Sequence, residues 1–592
     1  MKRALLFFLP LLIGPALAAQ DEARPPVSVS YTLDVTEPKS GAVKVEMRVE
    51  NNRDDEVTIG IPTWAPGSYR TVSYFLAISD LEAEVGGKKV DVTATDHKSL
   101  WKVKTGRAPT FTIRYTNKPA DVPQLRGNLT ADHYDLQGPA AWLFVLDHLD
   151  GPHRVTFKLP TGWNVGTGLK KLGPAHYGER DYDTFIDCPI ELGTFSLQKF
   201  EHDGVTYELV LHATEEFNVA KLVETCRKIV AEQTRMFGGA PFERYVIIYH
   251  FRNQMGGAGL EHLNSTHITF PMSRVKDDPA SIASITSHEF FHLWNVKRIR
   301  PKELGPFDYT RPVRSKALWL CEGVTSYYGD LSLARAGVWT RDVYLDHLAR
   351  EVNELQADPD RKTQSVEQAA WTVWDRGPNF TAWIDYYTKG ELLGWLLDLK
   401  IRHATEGKKS FDDVMRHLYR TGVIEPAKQG KGPIGVGFEE GEILNAVNEV
   451  SGKDFTEFFT RYVSGTEELP YVEVAQEAGL SLTRRKALSI SLQGMRVVEP
   501  AADSEAKKAD VRRNDRIVKI ANKPVANQDQ LYKALEPWSL GDKVIVEFTR
   551  QGEKDPLQKE LAIVEGPYAV KVAADPTEAQ KALLRGWLAP SK

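Results

Sequence analysis

The residues best suited to chemistry are His288, Glu289 and His292, in the run Ser287-His288-Glu289-Phe290-Phe291-His292. Residues four apart share one face of an α-helix, so both imidazoles can reach one metal ion. A glutamate one step round the helix can then contact a water beside that ion. Asp278-Pro279 supplies an N-cap and a first helical position, and Arg300-Pro301 a stop, so the motif is expected within a helix from about Pro279 to Val296. With only three fixed positions in five, the pattern also fits a surface helix carrying two unrelated histidines.

A third ligand decides the class. The metzincin pattern needs a glycine three residues after His292 and a histidine three further on; Asn295 and Arg298 stand there, and that class fails. The alternative takes a glutamate from a second helix. Leu318-Trp319-Leu320-Cys321-Glu322-Gly323, inside a helical pattern from Ser315 to Ala336, offers Glu322. Glu303 and Asp308 are nearer in sequence, but they lie among Pro301, Pro306 and Pro312, in a loop poorly suited to holding a ligand rigidly. Two histidines and one carboxylate leave a fourth position open, as in catalytic zinc sites. Glu289 is then the general base that takes a proton from water and passes it to a leaving amine.

These residues need elements to hold them. At 592 residues the chain is too long for one core. From Val27 to about residue 200, alternating and β-branched runs broken by turn residues read as an all-β layered domain. Helical periodicity dominates from about Phe217 to Val463, fed by a short strand at Tyr245–Phe251. Strand patterns return after Pro470, and an amphipathic stretch, Asp575 to Leu588, ends the chain. The alternation from Leu263 to Phe270 suggests an edge strand along which a peptide could lie. Gly256, Gly257 and Gly259 precede it and allow close approach of backbone to a ligand.

A formal charge of −5 gives no reason to expect a nucleic-acid partner. Lys2 and Arg3, an apolar run to Leu17 and the small-residue end Ala16-Leu17-Ala18 read as a signal peptide over residues 1–18, so the mature chain is expected to be exported, periplasmic or secreted, with no membrane span. Cys188, Cys226 and Cys321 form no disulfide framework and are expected to be buried as small apolar residues.

Further segments bring a family resemblance. Leu318–Gly323 resembles the W-L-x-E-G segment that carries the third zinc ligand of thermolysin-like aminopeptidases. Tyr387-Thr388-Lys389-Gly390 resembles their Y-x-K-G motif, whose tyrosine supports the transition state, and Gly259-Leu260-Glu261-His262 their G-x-M-E-N motif, whose glutamate binds the substrate's free amine. Within that group, His292 to Pro301 and Pro62-Thr63-Trp64-Ala65-Pro66-Gly67-Ser68-Tyr69 resemble the glycyl aminopeptidases. Two departures stand out: His262 replaces the motif's asparagine, and the stretch between His292 and Glu322 is longer than usual, the excess falling in the proline-rich loop 301–314.

The resemblance implies an α+β multidomain chain: a β-sandwich-like domain over 27–200, a thermolysin-like α/β catalytic domain over 201–336, an α-helical domain over 337–470, a PDZ-like β domain over 480–565 and a tail over 566–592. It also implies one zinc ion on His288, His292 and Glu322, a transition-state hydrogen bond from Tyr387 (with Tyr386 adjacent), and substrate binding by Gly259 and Glu261. The substrates would be peptides with a free amino terminus beginning in glycine or alanine. A zinc endopeptidase on the same scaffold is the first rival, and Glu261 speaks against it. A non-catalytic protein using the PDZ-like segment is the second, and it would be expected to lack Glu289 or a ligand.

Overall fold

The computed structural model describes residues 25–253, 256–375, 384–432 and 434–591. The expected signal peptide lies outside them. None of the described helices is long and apolar enough to cross a membrane.

The first layer follows from period-two burial. Val29, Tyr31 and Leu33 in Ser28–Asp34, and Val43, Val45, Met47 and Val49 in Val43–Glu50, are buried while their neighbours face outward. These strands sit in the middle of an eight-stranded sheet, and a four-stranded sheet containing Glu56–Gly60 and Leu100–Lys104 shares the same core. A third sheet, of three strands including His133–Leu136 and Ile190–Gly193, lies on the side that meets the next unit.

That unit has a five-stranded sheet: β1 (Ser196–His202), β2 (Val205–Ala213), β3 (Arg244–Arg252), β4 (Ala258–Glu261) and β5 (Ser265–Pro271), in the order β1-β2-β3-β5-β4. β2, β3 and β5 are parallel, and β4 returns antiparallel to β5, pairing Glu261 with Thr266 and Gly259 with Ile268. The expectation of an edge strand at 263–270 is therefore corrected. β5 is internal, which explains its nearly continuous burial, and β4, carrying Gly259 and Glu261, is the edge.

Helices cover this sheet: α1 (Val219–Phe237), α2 (Ala283–Phe291), α3 (Thr325–Arg335) and α4 (Tyr386–Ala404) among them. All four contribute to one apolar core with β1, β2, β3 and β5. Cys188, Cys226 and Cys321 are buried and free, as expected from their number.

The C-terminal region forms its own sheet, built from Leu480–Leu488, Leu557–Val572, Lys543–Thr549, Arg516–Ile520 and shorter strands, with a separate small core. The expected tail over 566–592 is also corrected. The strand Leu557–Val572 runs on to pair with Leu480–Leu488, and Asn353 exchanges hydrogen bonds with Tyr568 N and O at 2.7 and 2.9 Å. The helix α5 (Glu578–Leu588) then buries Trp587 in the core shared by α1–α4, its Nε1 donating to Tyr327 Oη at 2.9 Å. Arg335 donates to Trp587 O at 3.0 Å, and Ser591 N to Glu232 Oε1 at 2.7 Å. The amphipathic pattern marked a helix docked on a core, with a large aromatic as its anchor.

Candidate metal centre

The Asp278 carboxylate accepts from Ala280 N and opens a short 3-10 turn, Pro279–Ile282, that leads into α2. The regular helix ends at Phe291, five residues before the expected Val296, and the chain continues to Ile299 in irregular turns whose backbone bonds reach back three, four or five residues. The early end has a use. His292 closes the helix, and its Nδ1 donates to Asn295 O at 2.7 Å. A carbonyl only accepts, so Nδ1 carries the hydrogen and Nε2 is left with a lone pair.

Glu322 is brought to this nitrogen by a π-helical turn, Trp319–Val324, that leads into α3. Such a turn inserts an extra residue and redirects the side chains that follow. Gly323 lies against Gly390 of α4: a Cβ on Gly323 would sit 2.4 Å from Gly390 Cα, and one on Gly390 2.5 Å from Trp319 O. The glycines of the two resemblance motifs are thus one structural device, the crossing of the glutamate turn and the tyrosine helix at backbone contact. Asn295 ties that turn to the histidines, with Nδ2 donating to Leu320 O at 2.8 Å and to Thr325 Oγ1 at 3.0 Å.

The result is a convergent donor set. His288 Nε2 and His292 Nε2 are 2.9 Å apart, and Glu322 Oε2 lies 3.6 Å from the first and 3.3 Å from the second. His288 Nδ1 lies 3.2 Å from Ser326 Oγ, which orients the ring. Despite burial, the two histidines hold Glu322 down to about 2. Three carboxyl groups converge on two imidazoles, a set of groups that a dication would favour in its ionised form.

Orphaned atoms point the same way. Glu322 Oε1, Glu289 Oε2, Glu261 Oε1 and Tyr69 Oη are all buried with no hydrogen-bond partner among the described residues. Each such group costs about 1–3 kcal/mol if nothing satisfies it, so a cluster of four at one place marks a site built for something bound. The donor set fits zinc.

Glu289 packs against the backbone of Gly259, where a Cβ would fall 2.1 Å from its Oε1. Gly259 is needed to make room for the carboxylate, a reason independent of substrate. Burial, opposed by His292 and reinforced by Glu261 and Glu322, drives Glu289 well above the usual carboxylate range. A carboxyl in that condition can hold a proton and pass it on.

Tyr387 stacks beside His288, with ring centroids 6.1 Å apart, and the charges that reach its hydroxyl are those of Glu322, Glu261 and Glu289. Tyr386 is buried, its ring stacked on that of Tyr387. Glu261 sits on the β4 edge beneath the loop 62–69 of the N-terminal layer. Gly67 lies so close that a Cβ there would be 2.4 Å from Glu261 Oε2. Burial pushes Glu261 up to about 7, although His292 and Lys297 pull against it.

His262, the departure from the family motif, turns to the N-terminal layer, its Nδ1 3.4 Å from Asp187 Oδ1. Asp187 also takes Lys297 Nζ at 2.6 Å and Leu263 N at 2.6 Å. Arg298 and Arg300 are buried and spend hydrogen bonds on carbonyls, Arg298 on Leu293 O and Leu263 O, Arg300 on Gly305 O. The long loop 301–314 has an evident task as well. Asp308 O accepts from Trp64 Nε1 at 2.8 Å and Tyr309 O from Thr63 N at 2.8 Å, which seats the loop carrying Gly67 and Tyr69.

Sequence reasoning missed Asn295, Thr325, Asp187 and Tyr69. Only Asn295 and Tyr69 fell inside quoted segments, and nothing in their spacing told what they would touch.

A second group of imidazoles and carboxylates lies between the N-terminal layer and the five-stranded sheet: His133, Asp135, Glu191, His250 and His267, all buried, with His212 half-buried beside them. Here Arg252 Nη2 donates to His250 Nδ1 at 2.8 Å, so His250 must carry its hydrogen on Nε2, which faces Glu191 Oε2 at 2.7 Å. Both nitrogens are spent.

Residues 30–194 match the model of the peptidase M61 N-terminal domain, and residues 281–393 that of the M61 glycyl aminopeptidase. A search of curated proteins gives no match. Among solved structures, an aminopeptidase N family protein from Idiomarina loihiensis superposes with a TM-score of 0.75 at 24% identity, covering 95% of this chain and all of that one. An M1 zinc metallopeptidase from Deinococcus radiodurans gives a TM-score of 0.47 at 14% identity, over 75% of this chain and 95% of that one. His288, Glu289, His292, Glu322 and Tyr387 all fall within the second matched segment, so the residues of the candidate centre lie in the part of the chain that is similar to the M61 glycyl aminopeptidase.

Proposed function

We propose that the chain is a zinc-dependent aminopeptidase that removes small residues, glycine and alanine, from the amino terminus of peptides. The observation that carries the reading is the placement of Glu261: a buried carboxylate on the edge strand β4, its Oε1 without a hydrogen-bond partner among the described residues, with a side-chain oxygen within 4.8 Å of ligand atoms of both Glu289 and His292. A peptide laid along β4 by backbone pairing would bring its amino end to Glu261 and its first peptide bond beside Glu289.

Zinc, when held by His288, His292 and Glu322, supplies Lewis acidity and makes an adjacent water acidic enough to ionise near neutral pH. Glu289 takes the proton of the attacking water at its carboxylate and returns it to the departing amine. Tyr387 gives its hydroxyl hydrogen to the carbonyl oxygen as charge develops there. Glu261 holds the ammonium and so sets the distance from the chain end to the bond that breaks. In the same reading, residues 480–565 form a PDZ-like domain, and the basic and apolar start from Lys2 to Ala18 directs the protein out of the cytoplasm.

The test is a matched peptide pair, free and N-acetylated, each beginning in glycine. The wild type should cleave the free peptide and spare the acetylated one. Glu261→Gln should lower kcat/KM for the free peptide by about ten- to a hundred-fold, the worth of a charge-assisted hydrogen bond. Internal cleavage of the acetylated peptide at a comparable rate would replace this reading with an endopeptidase.

A further inference from the structure

One polar side chain at the site has no use in that mechanism. Tyr69 belongs to the N-terminal layer by position, yet its ring packs into the catalytic core, edge-on to Trp374 with centroids 6.3 Å apart. Other buried tyrosines of the N-terminal layer reach carbonyls: Tyr31 reaches Leu143 O at 2.5 Å, Tyr115 Ala141 O at 2.6 Å and Tyr182 Trp142 O at 2.8 Å. The Tyr69 hydroxyl is equally buried and has no partner among the described residues.

A neighbour of Tyr69 has a matching need. Tyr69 and Glu261 line the same cavity of about 20 Å³, together with Trp64, Gly67 and Lys297. That space holds one group the size of a water. Glu261 Oε1 is buried and partnerless too. Lys297 does not fill the need: its ammonium donates to Asp187 at 2.6 Å and makes no hydrogen bond to Glu261 Oε1. The loop can lie this close only because position 67 is glycine, with φ +91° and no Cβ to strike Glu261.

From this placement we infer that Tyr69 is a substrate-binding residue supplied by the N-terminal domain: its hydroxyl oxygen accepts one N–H of the peptide's terminal ammonium while Glu261 accepts another. A primary ammonium has donors for both orphaned oxygens and a head that fits the cavity. An acetylated amine has one N–H and an acyl group that does not fit. The inference rests on the aminopeptidase reading above and assigns half of its amine recognition to a second domain.

The experiment uses the zinc-loaded Glu289→Gln protein, which binds peptide without cutting it, and calorimetric titration with a glycine-initiated tripeptide, free or N-acetylated. Adding Tyr69→Phe keeps the ring and removes only the hydroxyl. It should weaken binding of the free peptide about tenfold, with unchanged affinity for the acetylated peptide and unchanged Tm. Gly67→Ala should give a larger loss for the free peptide, because its Cβ displaces Glu261. If Tyr69→Phe keeps the full preference for the free amine, or weakens both peptides alike, the hydroxyl has only a structural role and the inference falls. If the parent already binds both peptides equally, the aminopeptidase reading fails with it.

Discussion

The His288–His292–Glu322 centre and the cluster of histidine and carboxylate between the N-terminal layer and the five-stranded sheet are built from nearly the same residue types. Around His292 the outer nitrogen is tied to a backbone carbonyl, and the inner one is left as a lone pair beside His288 and Glu322. Around His250 both nitrogens are used, one by Arg252 and one by Glu191, and Arg252 also reaches Asp135 at 3.0 Å. The first cluster has a spare imidazole lone pair and carboxyl oxygens without partners. The second brings its own cation. What separates a metal centre from an interdomain polar clamp is the hydrogen bond on the far side of the ring. Composition and burial do not distinguish them.

The largest effect expected from this contrast is catalytic. Glu289→Gln should lower kcat by about 10²- to 10⁴-fold with zinc retained, the range for losing a general base. Glu191→Gln, its counterpart in the clamp, should leave kcat of the folded protein nearly unchanged. Steady-state kinetics beside elemental analysis would check both, and a comparable kcat loss in Glu191→Gln would erase the distinction.

Asn295→Ala should come next. It frees the glutamate turn from the zinc helix without touching a ligand, and loss of such an outer partner typically costs about 10- to 100-fold in metal affinity. Competition with a graded series of chelators measures it. Unchanged affinity would mean that Thr325 and the packing of Gly323 on Gly390 suffice to hold Glu322.

The smallest effect is a pH dependence of the clamp. Burial alone would lower His267, but the charge of Asp135, 3.3 Å away, raises it above its ordinary value of 6.5. A histidine raised on folding stabilises fully below its unfolded value, and the contribution is lost as pH rises through the folded one. The wild-type Tm should therefore fall as pH rises above about 6.5, and His267→Gln should flatten that slope. An identical slope in the variant would show that His267 does not titrate in this window.

Much of the geometry was legible because helical spacing put His288 and His292 on one face and the helical pattern around 318–323 offered Glu322, whose Oε2 lies 3.6 and 3.3 Å from their Nε2 atoms. The order of the motifs located Glu261 and Tyr387 but not their surroundings. Tyr69 could not be read, since its role depends on a loop folding across from another domain. The strand edge was misread because a two-residue period tells which face is buried and not which neighbours a strand has. The same limit hid α5, whose amphipathic pattern is visible while its docking partner is not.

The most direct test of the central claim is metal content across both clusters. Wild type, His292→Ala and His250→Ala would be purified under identical conditions, loaded with zinc, desalted and analysed for metal per chain. The account predicts about one zinc in the wild type and in His250→Ala, and none in His292→Ala. Zinc retained in His292→Ala but lost from His250→Ala would contradict it and move the metal to the interdomain cluster.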